Sequence, residues 1–147
     1  MSRRAFIGAV VVFVALSSGC ASIPMASKEQ DTALKQFTLP AGDKAGLYIF
    51  RNTFTGQALK KRLSIDDVVI GETANKTYFY REIVPGQHKL STQSEFGDNS
   101  ISLLAEGGKN YFVQQYIKMG AFVGGAGLKI VSEEEGKQEV LKCDLAK

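Results

Sequence analysis

The chain predicts a mainly β protein: a single antiparallel β-sandwich, or a partly open barrel, with one short helix before it and one at its end. Three observations carry that expectation. From Ala45 onward the apolar residues recur with a period of two in short runs rich in β-branched and aromatic residues. Turn signals separate the runs at regular spacing, among them Asp66-Asp67, Pro85-Gly86 and Gly107-Gly108. Only two cysteines occur, Cys20 and Cys143, and the first lies ahead of the β-rich region, so packing and not an internal disulfide must hold the fold.

The elements follow in order. Ser27-Lys28-Glu29-Gln30 has the Ser-x-x-Gln spacing of a capping box, which predicts a short helix over 28–36. A helix this short does not stand alone in water. Phe37 and Leu39 are the side chains available to pin it to the domain. Leu47-Tyr48-Ile49-Phe50 is a first strand, and the alternating run 59–65 pairs with 68–70 across Asp66-Asp67 as a hairpin. Strands over 77–84 and 87–94 are joined at Pro85-Gly86, and strands over 100–105, 111–119 and 128–131 complete the set. Ser132-Glu133-Glu134-Glu135 is a second capping box with three acids in the first turn, which suits the positive end of a helix reaching to Lys142. Gly136 inside that helix costs about 1 kcal/mol relative to Ala.

The first residues carry an address. Arg3 and Arg4 precede the apolar run Ala5 to Leu16, followed by Ser17, Ser18, Gly19 and Cys20. That is the charged region, apolar region and small-residue cleavage site of an export signal. The run has about 12 residues against the ~20 that a bilayer core requires. Ser2-Arg3-Arg4-Ala5-Phe6-Ile7 resembles a twin-arginine motif, although any export signal needs positive charge and no cofactor motif follows that would require folding before export. The Gly19-Cys20 junction resembles a bacterial lipoprotein signal, with Ser17 where Leu is usual. The resemblance implies cleavage between Gly19 and Cys20 and lipid on the Cys20 thiol. At about 0.8 kcal/mol per buried methylene one acyl chain anchors only marginally, whereas two or more hold firmly. Ala21 and Ser22, where Asp would retain such a protein, imply passage to the outer membrane, facing the periplasm.

The expected organisation is therefore a signal peptide over 1–19, a lipidated tether over 20–44 and a β-domain over 45–147. The formal charge of +3 falls to near neutrality once Arg3 and Arg4 are removed, which argues against nucleic acid as a partner. His88 is the only histidine, and no Cys-x-x-Cys or His-Glu-x-x-His joins it, so no metal site and no cofactor is expected. Its expected role is that of an ordinary strand residue. No Ser-x-x-Lys or Gly-x-Ser-x-Gly nucleophile occurs, and the sequence predicts no catalysis. Cys143 is expected as a buried thiol packing like a small hydrophobe.

Two segments offer contact surfaces. Lys60-Lys61-Arg62 either protects a sheet edge or meets anionic headgroups. The segment 120–127, Gly-Ala-Phe-Val-Gly-Gly-Ala-Gly, is either a bulge or tight crossing, or a flexible loop presenting Phe122 and Val123 to a partner.

The residues quoted for the Cys20 junction (19–25), with Ala45 to Asn52, Thr77-Tyr78-Phe79-Tyr80, Pro85-Gly86-Gln87-His88, Lys109-Asn110-Tyr111-Phe112 and Gly120 to Gly127, resemble the small bacterial lipoproteins grouped as domain of unknown function 2846. The resemblance implies a periplasm-facing lipoprotein with a compact β-sandwich-like domain and transfers no catalytic or ligand residues. Two functions follow as expectations. One is a lipid-anchored interaction or scaffold domain of the cell envelope, partnered by the membrane through its lipid and by a second envelope protein. The alternative is a periplasmic carrier of an apolar small ligand held between its sheets.

Overall fold

The computed structural model describes residues 22–147. Gly19 and Cys20, and with them the predicted cleavage and lipidation, lie outside the described residues.

The described chain starts with helix α1 (Lys28–Leu34) and strands β1 (Ala45–Arg51), β2 (Lys61–Ile65), β3 (Val68–Thr73), β4 (Thr77–Ile83) and β5 (Gly86–Ser94). It continues through β6 (Gly97–Ala105), β7 (Asn110–Lys118), β8 (Gly125–Val131), helix α2 (Glu133–Val140) and the short β9 (Asp144–Leu145). Two sheets result, a five-stranded one in the order β8-β7-β1-β4-β9 and a four-stranded one in the order β3-β2-β5-β6. They pack as a sandwich, with no closed barrel. The second sheet is antiparallel throughout, whereas β1 runs parallel to β7, and β4 to β9, in the first. Hairpin spacing does not reveal those two pairings, because strands of the other sheet or helix α2 intervene in the chain between them.

Strand β1 explains why Ala45 to Phe50 is apolar without a break. Leu47 and Ile49 face the second sheet and pack with Leu63, Leu90, Leu103 and Val113. Tyr48 and Phe50 face the opposite way and pack with Tyr78, Phe112, Val140 and Cys143 beneath the two helices. A strand buried on both faces loses the polar half of its alternation.

The local signals act as their chemistry requires. The Ser27 hydroxyl accepts the Gln30 N–H and the Gln30 side chain accepts the Ser27 N–H, closing the capping box at 3.3 Å on each side. Asp66 and Asp67 both take positive φ, 49° and 65°, the backbone of a two-residue hairpin turn. Gly136 sits over Phe112, where a Cβ would run into the aromatic ring. The helix-breaking residue is the one that lets α2 approach the sheet.

The segment expected as a tether is docked. Phe37 packs on Tyr48 and Phe112 with centroids 5.5 and 5.9 Å apart, the Tyr48 hydroxyl donates to the Leu34 carbonyl at 2.9 Å, and Leu39 stays exposed. Asp31 accepts the Leu145 N–H at 3.1 Å and pairs with Lys35 at 2.7 Å. Met25 bridges Ala146, with Ala26 N–H donating to Leu145 O at 2.9 Å and Lys147 N–H to Pro24 O at 3.0 Å. The helix is marginal alone, and these long-range contacts hold it.

The reading of Lys60-Lys61-Arg62 as edge protection is corrected. Strand β2 lies between β3 and β5, not at an edge. Lys61 points inward and is buried, and Arg62 is paired with Asp98 at 3.3 Å. The three residues form no common patch, because alternation along a strand sends neighbours to opposite faces.

Candidate functional site: a crown of three loops

The C-terminal ends of β1 and β7 lie at one end of the sandwich, and three connections meet there. They are the loop between β1 and β2, the β5–β6 turn at Glu95-Phe96, and the β7–β8 loop over 119–124. The Leu59 side chain lies against Gly124, and Ile117 against Gly56, at points where a Cβ on either glycine would collide. The Ser94 hydroxyl accepts the Ala126 N–H at 3.2 Å, and Asn99 donates to Ala126 O at 2.6 Å.

Glu95 fixes the third loop. Its carboxylate accepts three successive backbone N–H groups, from Ala121 at 2.8 Å, Phe122 at 2.5 Å and Val123 at 3.3 Å. Partial removal from solvent works to raise its pKa, but these donors and the charge of Lys61 outweigh that and hold the carboxyl below its ordinary range. Gly120 is required beside the clamp, since a Cβ there would run into the Val123 carbonyl oxygen. The first loop is held by a buried cation. The Arg51 guanidinium donates to Leu59 O at 2.6 Å and to Gly56 O, and burial lowers its pKa to about 10, so it stays charged at neutral pH.

The held loops display apolar side chains. Phe54, Phe96, Met119 and Phe122 are each 80–91 % exposed, and Val123 is exposed beside them. At about 150–250 Å² per aromatic side chain, the three Phe together expose on the order of 400–600 Å² of apolar surface, spread over the three loops.

Segment 120–127 thus divides. Gly125 to Gly127 begin β8 and are buried, with Gly127 against the Tyr116 ring, whereas Phe122 and Val123 stand in the open loop. Glu95, Phe54 and Phe96 escaped the sequence reading. A lone glutamate 25 or more positions from the amides it binds leaves no local pattern, and single Phe residues in turns have no period.

The remaining expected residues are accounted for. Cys143 is buried, its Sγ donating to Arg51 O at 3.7 Å, and burial, with the nearby Glu139 charge, pushes the thiol up to about 12. It is an inert thiol at neutral pH. His88 lies in β5, its Nδ1 2.6 Å from Asp66 Oδ2 and its Nε2 2.8 Å from Val84 O. Both ring nitrogens thus face oxygen acceptors, an arrangement that favours the protonated ring and raises its pKa. Among the described residues no group of three His, Cys, Asp or Glu is placed to hold a metal ion. Between the sheets the interior is filled by Leu47, Leu63, Leu90, Leu103 and Val113, and at the crown end by Thr73, Thr92 and Gln115, with Gln115 donating to Thr92 at 2.6 Å.

These features define a two-sheet sandwich with both helices on the outer face of the larger sheet and a clamped apolar crown at one end. The chain belongs to the family described as protein of unknown function (DUF2846), whose model matches residues 41–126. It is 50 % identical over 145 residues, 98 % of this chain and 86 % of the other, to an uncharacterized protein of Haemophilus influenzae (strain ATCC 51907 / DSM 11121 / KW20 / Rd). No solved structure matches the chain. The matched span covers β1 through the start of β8 and includes the Glu95 clamp and all three crown loops.

Proposed function

We propose that this protein is a lipid-anchored component of the cell envelope whose sandwich is a non-catalytic interaction domain. The carrying observation is the crown: Phe54, Phe96, Met119 and Phe122 stand exposed on loops that Glu95 and Arg51 hold in place. Loops fixed in this way lose little conformational entropy on binding, which favours a contact surface over a merely tolerated apolar patch. Anchoring rests on the sequence, Arg3-Arg4, the apolar run and Gly19-Cys20, and the outer-membrane address on Ala21 and Ser22. The partner surface is expected on a second envelope protein.

A photo-crosslinking residue at position 122 in intact cells tests the reading. The expected result is a discrete protein adduct in the membrane fraction, lost when Glu95→Ala frees the loop and absent for a crosslinker placed at Leu104 on the opposite side of the crown turn's sheet. Lipid and solvent adducts alone would remove the scaffold reading. The carrier alternative requires room between the sheets, and the side chains packed there give it no support. Native mass spectrometry of the purified protein, with no small molecule retained, is the expected outcome.

A further inference from the structure

We propose that the edge formed by β9, the N-terminal segment and β3 is the face the domain lays against the leaflet that holds its anchor. This inference rests on acylation of Cys20 as proposed above. The length of the leash carries it. Ile23 packs against the inter-sheet core, and Pro24 to Ala26 are hydrogen-bonded to the C-terminal residues. Only Ala21 and Ser22 separate Cys20 from Ile23. At about 3.3–3.6 Å per residue, three extended intervals reach roughly 10 Å. The domain therefore touches the membrane and does not hang from it.

Which face touches is set by where the chain leaves. Met25 pairs antiparallel with Ala146, and β9 runs parallel to β4 with Leu145 opposite Tyr78. Traced back from Met25, the chain runs toward the Ile83 end of β4, away from the crown. On that side the edges of the two sheets close on each other. Arg81 on β4 donates to Ile70 O on β3 at 3.3 Å, and a Cβ on Gly71 would lie 3.5 Å from Lys147 O. The closed edge presents Val68 and Val69 of β3, 66 % and 56 % exposed, with Val84 at 55 % in the adjoining β4–β5 connection. Beside the valines Asp66 is held by His88 and Asp67 by Lys89 at 2.8 Å, while Glu72 lies exposed further along β3. The contact made through these three valines is apolar and is therefore little affected by salt, with Lys89 and Lys147 lying beside it. The crown lies at the other end and toward the β8 and β6 edges, along strands such as β5, whose nine residues span about 30 Å. It faces away from the anchoring leaflet.

The test uses protein purified from membranes and reconstituted into phosphatidylethanolamine–phosphatidylglycerol vesicles containing brominated acyl chains. Val69→Cys, Val84→Cys and Phe122→Cys each carry an environment-sensitive fluorophore. The expected result is several-fold stronger bromine quenching at 69 and 84 than at 122, unchanged between about 0.05 and about 0.5 M NaCl. Acylated protein quenched equally at all three positions, or most at 122, overturns the orientation and leaves the anchor standing. An intact mass without acyl chains removes the anchor and the proposal together.

Discussion

Gly136 and His88 show how single side chains carry more than their types suggest. In an exposed helix Gly136→Ala would gain about 1 kcal/mol. Here the added methyl meets the Phe112 ring, and overpacking costs about 1–3 kcal/mol, so the substitution lowers stability. Urea unfolding should show a reduced midpoint with an unchanged slope, and an increased midpoint would refute the packing argument. At His88, burial works to lower the pKa, but the hydrogen bonds to Asp66 and to Val84 O, with the Asp66 charge, outweigh it and the pKa is raised. A base whose folded pKa is raised contributes stability that is fully present below its unfolded pKa and is lost as pH rises through the folded one. Asp66, held low by the Lys89 N–H and His88, contributes above its unfolded pKa and loses that contribution as pH falls through its folded value. Wild type should therefore lose stability as pH climbs from about 6.5 through the raised folded value. His88→Gln should flatten that alkaline limb, and an identical limb in the variant would show that another group is responsible.

Two loops of the crown are held by groups that lie outside them, the β1–β2 loop by Arg51 and the β7–β8 loop by Glu95 of the neighbouring turn. Glu95→Ala removes the acceptor of three amides at once, so hydrogen exchange of Ala121, Phe122 and Val123 should accelerate by an order of magnitude or more while β7 and β8 stay protected. Unchanged exchange would mean that the loop holds its own shape. Lowering the pH through the depressed Glu95 pKa should loosen the same amides in wild type. This clamp also marks where sequence stops being informative. The Asp66-Asp67 hairpin, the Ser27–Gln30 capping box, the Ser132 cap of α2 and the strand at 47–50 are legible because their causes lie within a few residues of each other. The return bond of a second capping box does not form, and the burial of β1 on both faces is set by what packs on it. Two-residue β9 has no period to display, the docking of Pro24 to Ala26 depends on a strand 120 positions away, and the burial of Lys61 depends on what packs over β2 and not on its neighbours in the chain. The glycines of 120–127 announced close approaches without saying that Phe122 would be left outside and Gly127 inside.

The described chain begins and ends on the same edge, and this joins stability to orientation. Residues 144–147 supply the acceptor and donor for Ala26 and Pro24, the N–H for Asp31, and the buried side chains of Leu145 and Ala146. Removing them strips the partner from the N-terminal segment and from α1, a helix too short to persist alone. Loss of one buried Leu costs about 2–5 kcal/mol, a large share of the roughly 5–15 kcal/mol that holds a domain together. A chain ending at Cys143 should therefore unfold at lower urea and with a smaller slope, since 22–37 is already exposed before the transition. Its α1 amides should exchange at unprotected rates while β1, β4 and β7 remain protected. With that segment released, the leash proposed from an acylated Cys20 lengthens from three residue intervals to more than fifteen, and under that proposal quenching at Val69 in brominated vesicles should fall toward the value at Phe122. Persistent α1 protection in the shortened chain would show that the aromatic contacts of Phe37 and Tyr48 suffice, and that the C-terminal residues do not set the proposed membrane orientation.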